Sequence, residues 1–138
     1  KKKKKKKKKK KVLKVFFLLK GHYPSEEMPK YFCCVDGLII SLKKSKIFSM
    51  TIPSKLQSYL ASGRPIIGSL DGIASDIINL SESGFVGGAE SVEDLVNSIK
   101  LLYNLSPEGR LVMGANARKY FGSEKTVIKE SKNIINDK

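Results

Sequence analysis

Apolar residues fall along this chain in two spacings. Three short, nearly unbroken runs, at 12–19, 38–42 and 65–69, have the length and β-branched content of strands buried on both faces of a sheet. Gly84-Phe85-Val86 adds a shorter one. Between and after them the spacing changes. Leu56, Tyr59 and Leu60, then Ile73, Ile77 and Ile78, then Val92, Leu95, Val96, Ile99 and Leu102 recur as the stripes of amphipathic helices. A short helix is expected to begin near Met28, where Pro29 is tolerated in the first turn, and to run to Cys34. Ser91-Val92-Glu93-Asp94 has the form of a capping box. Ser106-Pro107-Glu108 starts another helix, with Leu111, Val112 and Ala115 expected to face inward and an end near Phe121-Gly122. A weaker helix over about 124–136 has only Val127, Ile134 and Ile135 as its stripe.

Strands alternating with helices predict an α/β fold, a Rossmann-like parallel sheet with flanking helices and right-handed crossovers. Four strands are visible where a doubly wound domain has five or six, so the chain is expected to begin partway through a domain. In such sheets ligands bind beyond the carboxyl ends of the strands. The segments there are 21–25, 43–53 and 70–72, and the second, with three lysines over 43–50, is longer than most strand-to-helix loops.

The stretch 51–72 holds the candidate chemistry. Pro53 fixes the approach to a helix, Ser54 stands as its expected N-cap, and Gly63 stops it before Pro65. Lys55 sits in the first turn, where a cation opposes the helix dipole unless an anion lies between them. Free N–H groups, the hydroxyls of Thr51 and Ser54, and the ammonium of Lys55 together form a candidate phosphate site. An ordinary capped helix with a solvated lysine is the alternative.

Charge changes the picture less than its total suggests. The 138 residues carry a net +14, but residues 1–11 are all lysine, and the other 127 carry 16 basic against 13 acidic side chains, a net of +3. Eleven like charges bury nothing and predict disorder; the run is set aside as a tag or unassigned segment, and residues 12–138 are taken as the domain. The few aromatics are not interleaved with basic residues on one face, so no nucleic-acid surface is expected. Cys33 and Cys34 are sequence neighbours, which fits reduced thiols in a cytoplasmic setting. With one histidine, His22, read as a loop residue, and no Cys-x-x-Cys pair, no metal site is expected. No apolar run reaches the ~20 residues of a membrane span.

Several motifs occur in a fixed order: Gly21-His22-Tyr23-Pro24 through Pro29, Asp36-Gly37-Leu38-Ile39, Thr51-Ile52-Pro53-Ser54-Lys55, Tyr59-Leu60-Ala61-Ser62-Gly63-Arg64-Pro65, Asp71-Gly72, and Met113-Gly114-Ala115-Asn116-Ala117-Arg118. Over roughly residues 12–122 the chain resembles the carboxy-terminal, nucleotide-sugar-binding domain of family-4 retaining glycosyltransferases of the GT-B fold. It is most similar to the bacterial branch that transfers N-acetylated deoxyhexosamines in capsule or O-antigen synthesis.

The resemblance implies a nucleotide-sugar donor, a uridine diphosphate sugar foremost, and a polysaccharide or lipid-linked acceptor, with no metal or other cofactor. Tyr23 and its loop would border the nucleobase, Thr51, Ser54 and Lys55 would meet the diphosphate, and Gly72 would admit backbone to the donor sugar. Ser58 stands where many members have a ribose-binding Glu, and Met50 where its partner Glu falls. Catalytic residues are not assigned. Acceptor recognition would belong to an amino-terminal domain, onto which the last helix would dock, and this chain alone would be inactive. The implied setting is cytoplasmic, with possible peripheral association with the inner membrane. The alternative is a non-enzymatic α/β interaction module whose lysine arm binds polyanions.

Overall fold

The β-branched runs form the centre of the fold. In the computed structural model, which describes residues 24–136 and their side chains through residue 125, strands β1 (Leu38–Ser41), β2 (Ile66–Ser69) and β3 (Gly84–Gly87) make one parallel sheet in the order β1-β2-β3. Leu38 is in register with Ile66, and Ile66 with Gly84. The expected strand at 12–19 lies outside the described residues. Helices flank the sheet, so the architecture is the Rossmann-like α/β arrangement expected from the pattern.

The helices are α1 (Met28–Phe32), α2 (Lys46–Ser49), α3 (Ser54–Ser62), α4 (Ile73–Leu80), α5 (Val92–Asn104) and α6 (Pro107–Asn136), with a 3-10 turn at Ser25–Glu27 ahead of α1. Leu56 and Leu60 of α3, Ile40, Ile66, Leu70, Ile77 and Ile78 close the core, joined by Ala74 and Ala117. Each large aliphatic side chain in that set stabilises the fold by about 1.5–3 kcal/mol through its burial. Tyr59 fastens α3 to its neighbours: its hydroxyl donates to the Ile39 carbonyl at 3.3 Å, and its ring meets Phe32 edge-on at 5.5 Å.

Several local expectations are corrected. Helix α1 ends at Phe32 rather than Cys34, and both cysteines are exposed, where adjacent helical positions predict one buried and one partly exposed thiol. The segment 43–50 is not all loop, because it contains α2. Ile73 is exposed, and on α5 the buried residues are Ser98 and Leu102 while Val92 and Val96 face solvent.

The largest difference concerns α6, which runs unbroken from Pro107 to Asn136 through Gly122. A lone glycine costs a helix only about 1 kcal/mol, and neither a proline nor a left-handed cap stands there to end it. Nor does α6 face inward with Leu111, Val112 and Ala115, which are exposed. Its buried side is Gly114 and Ala117, because α6 lies against α3 so closely that a Cβ on Gly114 would overlap the Gly63 carbonyl. Gly63 itself ends α3 in the left-handed conformation, φ +70°, which favours glycine. Two motifs of the sequence, Ala-x-Gly-x-Pro and Met-Gly-Ala-Asn-Ala-Arg, are thus one helix contact.

Candidate functional site

The carboxyl ends of the three strands open into the segments that carry the candidate residues. From β1 the chain passes Lys43 and Lys44, makes the single turn of α2, and reaches α3 through Thr51, Ile52 and Pro53. Hydroxyls stitch that turn internally: Ser49 Oγ donates to the Lys46 carbonyl at 2.8 Å and Thr51 Oγ1 to the Phe48 carbonyl at 3.3 Å. The Thr51 oxygen therefore offers a lone pair as it stands, and its proton reaches a phosphate only if the Phe48 bond is given up.

The N-cap of α3 is Pro53, in extended conformation with φ −64° and ψ 137°, and Ser54 is the first helical residue. This corrects the expected cap at Ser54. Proline leaves the start without a side-chain cap, so the orphan N–H groups of the first turn are not all claimed. Leu56 N–H donates to the Pro53 carbonyl at 3.0 Å, whereas those of Ser54 and Lys55 have no partner among the described residues. Ser54 and Lys55 are exposed, and Lys55 forms no ion pair among the described residues. Ser58, one turn further, is also exposed, its hydroxyl 3.5 Å from the Ser54 carbonyl to which it donates. Thr51, Ser54, Lys55 and Ser58 are thus brought onto one helix start, a polar surface open to solvent at the sheet's carboxyl end. Tyr23 lies outside the described residues.

Gly72 precedes α4 with φ +77°, and a Cβ there would overlap the backbone of Ser49. Its requirement for glycine is met inside the protein: it lets α4 start against the turn that leads into α3. The carboxyl ends of β2 and β3 hold a second group of polar contacts that sequence reasoning passed over. Asp71 Oδ1 accepts from Ala89 N–H and Asp94 Oδ2 from Gly88 N–H, both at 3.1 Å, and Ser69 Oγ donates to the Gly88 carbonyl at 3.3 Å. Glu90, with φ 62°, accepts from Lys44 N–H at 3.3 Å and so ties the β3 loop to the β1 loop. Asp94 had a signal, its place in the first turn of α5; Asp71 and Glu90 had none beyond a turn composition.

Arg64 spans from the end of α3 to α1, where Nη2 donates to the Cys33 carbonyl at 2.7 Å. Burial raises the Tyr59 phenol above its ordinary range, and burial followed by Glu124 does the same at Tyr120. Among the described residues no group of three His, Cys, Asp or Glu side chains converges as a metal site, and no helix is long and apolar enough to cross a membrane. Comparison with protein-family models, curated proteins and solved structures gives no match to this chain.

Proposed function

We propose that this chain is the donor-binding half of a retaining glycosyltransferase that moves a sugar from a nucleotide diphosphate, uridine diphosphate in the first instance, to a polysaccharide or lipid-linked acceptor. The observation that carries the proposal is the start of α3: a helix at the carboxyl end of a parallel sheet, without a side-chain cap, with Lys55 in its first turn. An anion seated there would take the free N–H groups and the ammonium together.

In the transfer the bond from the sugar's anomeric carbon to the diphosphate breaks, and negative charge develops on the departing diphosphate oxygen. Fixed N–H dipoles and a cation aimed at that oxygen lower the barrier without reorganising at the moment of reaction. Ser54 and Thr51 would add hydroxyl contacts to the phosphates, and Ser58 would bond one ribose hydroxyl. Acceptor binding and the remaining catalytic groups belong, in this proposal, to a second domain.

Calorimetric titration of uridine diphosphate into the wild-type protein and a Ser54→Ala/Lys55→Ala variant tests it, each with and without residues 1–11. Saturable one-site binding that survives removal of the lysines and is lost in the variant is the expected result. Binding that disappears with the lysines would instead indicate a polyanion-binding arm on an α/β scaffold.

A further inference from the structure

Cys33 and Cys34 follow one another at the end of α1, both exposed, and neither belongs to the proposed donor site. The peptide that joins them is held at each of its polar atoms. Its carbonyl, on Cys33, accepts from Arg64 Nη2 at 2.7 Å, and its N–H, on Cys34, donates to the Tyr31 carbonyl at 3.0 Å. The Cys34 thiol is engaged as well, Sγ donating to the Lys30 carbonyl at 3.4 Å. Arg64 follows the left-handed end of α3, so its bond ties α1 to α3, as does the contact of Phe32 with Tyr59.

These bonds keep the two sulfurs apart. Cys33 has helical dihedrals, φ −67° and ψ −20°, and successive side chains on such a backbone diverge by about 100° around the axis. A disulfide requires its two Cβ atoms within about 3.5–4.5 Å of each other. The peptide between adjacent residues is rigid, and ψ of Cys33 and φ of Cys34 are the only soft torsions between the two Cα atoms. Closing a ring through both sulfurs therefore turns this peptide relative to α1, against the bonds to Arg64 and Tyr31. The fold favours the dithiol, which makes the disulfide readily reduced once formed.

We propose that Cys33-Cys34 is a reversible oxidation site for hydrogen peroxide, and that closing its disulfide releases the Arg64 bond and loosens α1 from α3. Exposed thiols with a resolving cysteine beside them are the ones that oxidise reversibly. One thiolate attacks a peroxide oxygen, the O–O bond breaks, and the departing hydroxide takes a proton to become water, leaving a sulfenic acid. The neighbouring thiolate attacks that sulfur; the S–O bond breaks, a second water leaves and the S–S bond forms. Two thiols are oxidised and one peroxide is reduced to two waters. The coupling is reciprocal: whatever the Arg64 bond adds to the stability of the dithiol it takes from that of the disulfide.

The test adds hydrogen peroxide to the full-length chain and measures its intact mass. The expected product is a monomer lighter by two hydrogens and restored by dithiothreitol, while Cys33→Ser and Cys34→Ser variants gain oxygen or form a disulfide between chains. Hydrogen exchange over residues 28–34 of the wild type should quicken on oxidation, a measurement that needs no variant. Arg64→Ala, compared with the wild type in thiol–disulfide buffers, should favour the disulfide about tenfold or more, a shift of about 30 mV to more negative potential. Added oxygen or a chain-to-chain disulfide as the product in the wild type overturns the site. Unchanged exchange, or an unchanged potential in Arg64→Ala, overturns its link to α3.

Discussion

Gly114 and Gly122 lie two turns apart in α6, and alanine is expected to act oppositely at them. At Gly114 the new Cβ overlaps the Gly63 carbonyl, while at Gly122 it meets nothing within 4 Å among the described residues. Gly114→Ala should therefore destabilise the protein by about 1–3 kcal/mol, the cost of overpacking exceeding the helix-propensity gain. Gly122→Ala should stabilise it by about 0.5–1 kcal/mol. Urea midpoints moving in opposite directions at constant m would establish both signs. Tyr59 gives a pH dependence whose sign follows from burial, which raises its phenol pKa. Up to about pH 10 both folded and unfolded chains hold the proton. Above that the unfolded chain releases it first, so stability falls as pH rises toward the folded value. Tyr120, raised by burial and by Glu124, adds to the same slope. Tyr59→Phe should reduce the slope and lower stability by about 1 kcal/mol through loss of the bond to Ile39, as urea unfolding across the alkaline range would measure.

Two serines at helix starts separate capping from binding at the level of the element. Ser91 caps α5, its Oγ accepting from Asp94 N–H at 3.3 Å, and Ser91→Ala should cost about 1 kcal/mol. Ser54 caps nothing, because Pro53 holds that position, so Ser54→Ala should change stability by less than about 0.5 kcal/mol while weakening uridine diphosphate binding. A large loss of stability in Ser54→Ala would count against its assignment to the donor. The starts of α5 and α6 were legible because Ser91 and Pro107 are local signals, and α3 was framed by Pro53 and Gly63. The inner faces of α5 and α6 were not. An apolar stripe shows which side of a helix could be buried, but the α3 contact needs closeness, and Gly114 and Ala117 supply it where Leu111 and Val112 could not. The site was legible in part for a similar reason: Thr51, Ser54, Lys55 and Ser58 adjoin in sequence and helix geometry gathers them. Asp71 and Asp94 meet the β3 loop only through the sheet, a juxtaposition that no local pattern contains.

For the whole molecule, the alternation of buried runs and amphipathic stripes carried the parallel pairing of the strands, because parallel neighbours need a crossover connection and a helix usually makes it; their order, β1-β2-β3, is set by packing that no alternation contains. The alternation also carried the location of the candidate site, since every strand then ends on the same side. Net charge was the misleading quantity: +14 for the chain, +3 without residues 1–11. The two charge distributions make different claims on a nucleotide diphosphate. Eleven lysines attract any polyanion through a field that screens out over about 8 Å at physiological salt, whereas in the proposed function Lys55 and the α3 N–H groups would act as a fixed short-range site. Apparent affinity for uridine diphosphate in the full-length chain should therefore fall with added salt and level off at the value measured without residues 1–11. Inorganic polyphosphate, which meets the eleven lysines through many phosphates at once, should lose affinity far more steeply over the same range. Parallel salt series on both chains decide the matter. Coincident, plateau-free curves for the two ligands would place all binding in the lysine run and remove the donor site from α3.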